Sequence, residues 1–127
     1  SPALAAVCDA LTTTPPFWKG NNASTWKSLC VAANGFDLDM GYGGEDWAFG
    51  QRLVHLGVTP TRIRFRAPTM HLDHPRPYQD PDVVAYNLAV RARIVRRRET
   101  RARFGLAELG GDVAPPAPAE ARARALA

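Results

Sequence analysis

Apolar positions along the chain change period several times, and each change marks a predicted element. From Pro2 to Leu11 an Ala-rich stretch repeats at helical spacing. Thr12-Thr13-Thr14-Pro15-Pro16 stops it, because proline disfavours helical geometry in the residue before it. Phe17-Trp18-Lys19-Gly20-Asn21-Asn22 runs an aromatic pair into a Gly-Asn turn, the pattern of a strand end feeding a loop. Ser24 is placed to cap a helix through about Ala33, with Trp26, Leu29, Cys30 and Ala33 on one face. Gly35 is suited to the left-handed conformation that ends such a helix, and Phe36 packs the exit.

Asp37 to Gly44 has three glycines and no period, so it reads as a loop needing unusual backbone angles or close approach to a ligand. Trp47, Ala48, Leu53, Val54 and Leu56 predict an amphipathic helix from Glu45 to about Leu56, closed by Gly57. Glu45 and Asp46 fall in its first turn, where the helix dipole alone favours a carboxylate by roughly 0.3–1 kcal/mol. Thr61 to Ala67 alternates strictly and predicts a half-buried strand with Ile63 and Phe65 inward and the arginines outward. Met70 to Tyr78 is proline-rich and cannot be a regular helix. Asp80-Pro81 opens a long helix running past Val84, Leu88, Ile94 and Val95 to an end at Gly105. Residues 110–127, poor in apolar bulk, are expected to be disordered. The implied organisation is a helix and linker over 1–16, a domain over 17–109 and a tail over 110–127.

Composition narrows the class. With 127 residues, 46% hydrophobic and 22% charged, the chain supports one globular core. No apolar run reaches the roughly 18–20 residues of a membrane-spanning helix. Ser1-Pro2-Ala3-Leu4 lacks the layout of a signal peptide and has no initiator Met, so an excised piece of a longer soluble protein is expected. Cys8 and Cys30 lack metal or redox spacing and read as buried free thiols, which points to the cytoplasm. The net charge of +4 is local. Seven arginines between Arg91 and Arg103 against Glu99 carry +6, which by subtraction leaves the rest of the chain at −2.

Asn34-Gly35-Phe36-Asp37, then Gly41-Tyr42-Gly43-Gly44-Glu45-Asp46, with Arg52-Leu53 and Gly57 beyond, resembles the C-terminal half of family-2-like glycosyltransferases and the acceptor-side domain of β-1,4-galactosyltransferases. Lys19-Gly20-Asn21-Asn22-Ala23-Ser24 is similar to the Gly-x-Asn-x-Ala/Ser element before that region, and His71-Leu72-Asp73-His74 to the histidine segment after it. Tyr78-Gln79-Asp80-Pro81 and Thr100 to Leu106 look like the closing portion of bacterial members, so the resemblance spans roughly residues 17 to 109. It implies an α/β fold: the C-terminal half of a GT-A fold, helix-rich with a few strands and a long C-terminal helix.

The resemblance also implies roles. Inverting sugar transfer needs a carboxylate to take the acceptor hydroxyl's proton as that oxygen attacks the anomeric carbon. Asp46 would be that base and Glu45 would hold or orient the acceptor hydroxyls, with Glu45 as base the fallback. Gly43 and Gly44 would let the sugar approach the backbone. Asn22 and Tyr42 would contact substrate, Tyr42 by stacking unless it merely packs, with Trp47 a further candidate that core packing explains better. His71 would ligate Mn²⁺ or Mg²⁺ at the leaving diphosphate, with His74 and Asp73 as alternate or supporting groups.

The implied partners are a nucleotide-sugar donor, a glycan or lipid-linked acceptor, and an N-terminal nucleotide-binding half that this chain lacks. Asp37-Leu38-Asp39 has the letters of the donor-side metal motif but follows Asn-Gly-Phe, so it is given no metal role. The chain alone is therefore expected to be inactive. Two other classes compete. The Arg91–Arg103 segment suits nucleic acid or an anionic surface, although its arginines spread around the helix and favour a solvated element or peripheral contact at the inner face of a membrane over a specific nucleic acid. A small metal-dependent hydrolase built on His71, Asp73, His74 and Asp46 is the third.

Overall fold

The structure, a computed structural model, describes residues 1–72, 74, 75 and 80–110. Four α-helices run in order: α1 (Pro2–Leu11), α2 (Lys27–Ala32), α3 (Glu45–His55) and α4 (Pro81–Arg97), followed by a 3₁₀ turn at Leu106–Leu109. Of the tail expected over 110–127, residues 111–127 lie outside the described residues, as do Asp73 and Arg76 to Gln79.

Helix α3 is the centre of the packing because it buries two faces. Phe49, Leu53 and the following Leu56 meet Leu29, Ala32 and Ala33 of the α2 region, with Trp18, Cys30 and Val58 around the margin. Ala48 faces the other way, against Met40 and against Val90 and Ile94 of α4, with Trp47 at the edge. Gly50 admits Trp18 to the first face: a Cβ there would overlap the Trp18 Cβ. The Trp18 and Phe49 rings meet edge to face at 4.9 Å, and Phe36 stacks on Phe49 from outside at 4.7 Å.

Several boundaries follow from local chemistry. Asp80 Oδ1 accepts from the Asp82 and Val83 amides and starts α4, with Pro81 at its first position. Gly35 and Gly57 take left-handed angles beyond the ends of α2 and α3. Elsewhere the pattern misleads. Ser24 caps nothing: α2 begins after Trp26, which has no side-chain cap and is 63% exposed instead of lying in the core. Cys8 and Cys30 are unpaired, as expected, but only half-buried. Burial raises the Cys30 thiol above its ordinary value.

Helix α4 does not reach Gly105. It stops at Arg97, with Arg98 left-handed and the Glu99 amide bonded to the Ile94 carbonyl. Its buried face is Asn87, Val90 and Ile94, while Leu88 and Val95 are about half exposed. The chain then returns to the end of α2, where the Ala102 amide bonds the Ala33 carbonyl and the Leu38 amide bonds the Phe104 carbonyl.

No strand forms among the described residues, so the α/β expectation is not met there. The alternating segment Thr61–Ala67 has no neighbouring strand to pair with and closes instead into a turn, Ala67 N–H to the Ile63 carbonyl at 2.8 Å. Asp9 of α1 holds that turn, one carboxylate oxygen accepting from the Phe65 amide and the other from Arg66 Nε. Burial opposes ionisation of Asp9, but the Phe65 amide and the Arg66 guanidinium outweigh it and hold the carboxyl below its ordinary value.

Candidate functional site

Gly43-Gly44-Glu45-Asp46 forms the entry to α3, and backbone amides organise both acids. Gly43 and Gly44 stand at φ 114° and 99°, angles an L side chain rarely adopts. Glu45 Oε2 accepts from the Gly43 amide at 2.7 Å, which folds Glu45 back over the turn. Asp46 Oδ1 accepts from the Trp47 amide at 2.6 Å and Oδ2 from the Gly20 amide at 3.0 Å. The second bond ties the Lys19–Asn22 loop to the turn, so two segments singled out in the sequence meet at one carboxylate. Each Asp46 oxygen keeps a second acceptor position for a hydroxyl proton.

Helix α4 backs this turn. Asn87, fully buried, donates through Nδ2 to the carbonyls of Gly41 (3.0 Å) and Gly43 (3.1 Å) and, at 3.4 Å, of Tyr42. Side chains added at Gly41, Gly43 and Gly44 would meet Val83, Val84 and Arg91. The glycines thus admit α4, and a sugar would have to approach from the opposite side. Tyr42 is 41% exposed on the loop. Trp47 is partly buried, with the Arg91 guanidinium 4.2 Å over its ring. Sequence reasoning overlooked Asn87, although a polar residue in line with Val83, Val90 and Ile94 on a helix face was its signal.

A second polar element lies below the turn. Asp37 Oδ2 and Arg52 Nη2 pair at 2.6 Å with both side chains buried. Burial drives the Arg52 guanidinium below its ordinary value, opposed by the adjacent Asp37 charge. Asp37 is thereby committed to Arg52, which joins the Asn34–Asp37 and Gly41–Arg52 motifs internally. Asn34 is a comparable hub. Its Nδ2 donates to the Ala102 carbonyl and Glu108 Oε2, and its Oδ1 accepts from the Ala107 amide.

Beside the turn opens a cleft of about 1060 Å³, whose walls include Phe17, Trp26, Asn22, Trp47, Gln51 and His71. Glu45 and Asp46 are not among its lining residues, but Asp46 borders it through Gly20, whose neighbours Lys19 and Asn21 line it. Asn22 donates to the Ala67 carbonyl at 2.6 Å and so ties the loop to the far wall. The His71 and His74 rings lie 5.5 Å apart, and His74 Nδ1 donates to the Pro75 carbonyl, which leaves Nε2 as the ring nitrogen with a lone pair. These two imidazoles can supply part of a divalent-cation set. No group of three His, Cys, Asp or Glu stands together among the described residues, and Asp73, which the hydrolase alternative also uses, lies outside them.

The arginine segment is partly spent on the fold. Arg91 covers Trp47, Arg93 pairs with Glu99 at 2.9 Å, and Arg101 reaches the Val31 and Ala32 carbonyls at the end of α2. Arg96, Arg97, Arg98 and Arg103 are exposed. No described helix is long and apolar enough to cross a membrane.

Residues 16–75 match the family model described as the N-terminal domain of galactosyltransferase, a little under half of the chain. The match takes in the Lys19–Ser24 loop, the Gly43–Asp46 turn, His71 and His74. The class it supports is glycosyltransferase-like in general. Its description is more specific, galactosyltransferase, and refers to an N-terminal domain, whereas the sequence resemblance is to a C-terminal one. No curated protein and no solved structure matches the chain significantly.

Proposed function

We propose that this chain is the acceptor-side part of an inverting, GT-A, family-2-like glycosyltransferase related to the β-1,4-galactosyltransferases, with Asp46 as general base. The observation that carries this reading is the convergence of two matched segments on one carboxylate: Gly20 N–H and the start of α3 both hold Asp46 at the rim of the cleft. Two amide bonds fix its orientation without an ordering cost at each turnover, the preorganisation that proton abstraction rewards.

Asp46 takes the proton of the acceptor hydroxyl as that oxygen bonds to the anomeric carbon and the nucleoside diphosphate departs from the opposite face. Glu45, folded onto the Gly43 amide, presents its remaining oxygen to the acceptor's other hydroxyls. Tyr42 and Trp47 flank the acceptor, and Asn22 keeps the loop against the wall at Ala67. His71 and His74 would hold a divalent cation, Mn²⁺ or Mg²⁺, that neutralises charge on the diphosphate. The nucleotide-sugar donor is bound mainly by a separate nucleotide-binding half, the acceptor is a glycan or lipid-linked sugar, and the reaction takes place in the cytoplasm at the inner face of the membrane.

The test is sugar transfer by the longer parent protein. Asp46→Asn should lower kcat by about 10²–10⁴-fold while donor affinity, read by calorimetry, stays within twofold. Retained turnover would remove Asp46 from the role.

A further inference from the structure

The cleft beside Asp46 is unusual in its charge. Its described walls carry Lys19, Arg62 and Arg64 and no carboxylate. Among the described residues, Asp9 is paired with Arg66, and Glu45 and Asp46 border the cleft without lining it. None of the three cations forms an ion pair among the described residues. Arg62 and Arg64 reach neutral Thr14 oxygens, Arg64 also lies 6.0 Å over the Phe65 ring, and the Lys19 ammonium sits 5.2 Å from the Phe17 ring centroid. All three keep charge to offer a ligand.

The second feature is an aromatic platform. Of the three tryptophans lining the cleft, Trp18 packs on Phe49 and Trp47 lies under Arg91, but Trp26 is 63% exposed and Phe17 55%. A solvent-facing indole in a concave wall is a stacking surface for the apolar face of a sugar ring. Amides of Asn21 and Gln51 line the same walls and suit hydroxyls. At about 1060 Å³ the cleft lies at the top of the usual 300–1000 Å³ range of a small-molecule site, room for more than one sugar ring.

We infer that this cleft binds an acidic glycan, a chain of sugars bearing carboxylates, with Trp26 as the stacking platform and Lys19, Arg62 and Arg64 as its charge partners. The inference deepens the transfer reading, and it rests on that reading for the cleft's role as acceptor groove. A nucleoside diphosphate is the less suitable anion. The N-terminus of α3 beside the cleft already carries the carboxylates of Glu45 and Asp46, and that of α2, which starts after Trp26 on the cleft wall, belongs to a helix of only six residues.

The experiment is titration of the 127-residue chain with a linear tetra-uronate, its carboxyl-reduced neutral counterpart and uridine diphosphate, followed by tryptophan fluorescence and calorimetry. The uronate should bind at least about tenfold tighter than the neutral chain, with affinity falling as salt rises. Trp26→Ala should weaken it about tenfold, Trp26→Phe should restore most of that, and Arg62→Gln with Arg64→Gln should remove the preference for the acid. Circular dichroism of each variant checks that it is folded. Equal affinity for acid and neutral chains, indifference to Trp26→Ala in a folded variant, or binding of the diphosphate in place of the uronate would overturn the inference. No turnover is read in this titration, so failure of the transfer reading shows only in the Asp46→Asn assay.

Discussion

Asn34 shows how much one side chain settles. It sits at φ 64°, an angle that asparagine tolerates better than most residues, and its amide bonds a segment about 70 positions away. Asn34→Ala should destabilise the chain by about 2–3 kcal/mol through lost and orphaned hydrogen bonds. It should cost about 1 kcal/mol more than Asn34→Gly, which loses the same bonds without left-handed strain. Urea unfolding of the two variants measures the difference. The Asp37–Arg52 pair makes a different demand. Arg52→Met leaves a buried, uncompensated carboxylate and should cost about 3–5 kcal/mol, whereas Asp37→Leu with Arg52→Met should recover much of it. If the double variant is no more stable than the single one, the cost lies in packing and not in the orphaned charge.

At the scale of elements, α1, α3 and the start of α4 were legible because their ends are written locally: proline after α1, Gly44 and Gly57 around α3, Asp80-Pro81 before α4. The Asp46 turn was legible for the same reason. What failed depended on distant partners. Thr61–Ala67 has a strand's alternation, but Asp9 supplies the bonds that a neighbouring strand would have made. The end of α4 is set by Glu99 turning back to Ile94 and Arg93, and the cleft by loops far apart in sequence. Two substitutions test these elements. Asp80→Ala should cost α4 about 1 kcal/mol by removing its cap, read as a lower melting temperature. Gly50→Ala, worth about 1 kcal/mol of stabilisation in an ordinary helix, should destabilise here, because the new Cβ overlaps Trp18. A raised melting temperature would show that Trp18 can yield.

For the whole molecule, acid is the informative variable. Asp9 joins α1 to the Thr61–Ala67 turn, and Glu108 joins the C-terminal turn to Asn34. Bonds from the Gly105 amide and Asn34 hold the Glu108 carboxyl below its ordinary value, and for Asp9, where burial pushes upward, the Phe65 amide and Arg66 outweigh it to the same end. Both groups bind protons less readily folded than unfolded. Their stabilisation is complete above the ordinary carboxylate range, near pH 4, and disappears as pH falls through the lowered folded values. Thermal unfolding from pH 7 to 3 should show a steep acid limb, flattened in Asp9→Asn and in Glu108→Gln. The closure of residues 99–108 onto Asn34 also orders events during synthesis. The helices that carry Asp46 and its backing are complete by Arg97, yet the amide of Asn34 finds its acceptors only at Ala102 and Glu108. A nascent chain therefore carries its central polar hub unsatisfied until residues 102–108 have emerged, and that later segment is the one that locks the first half in place.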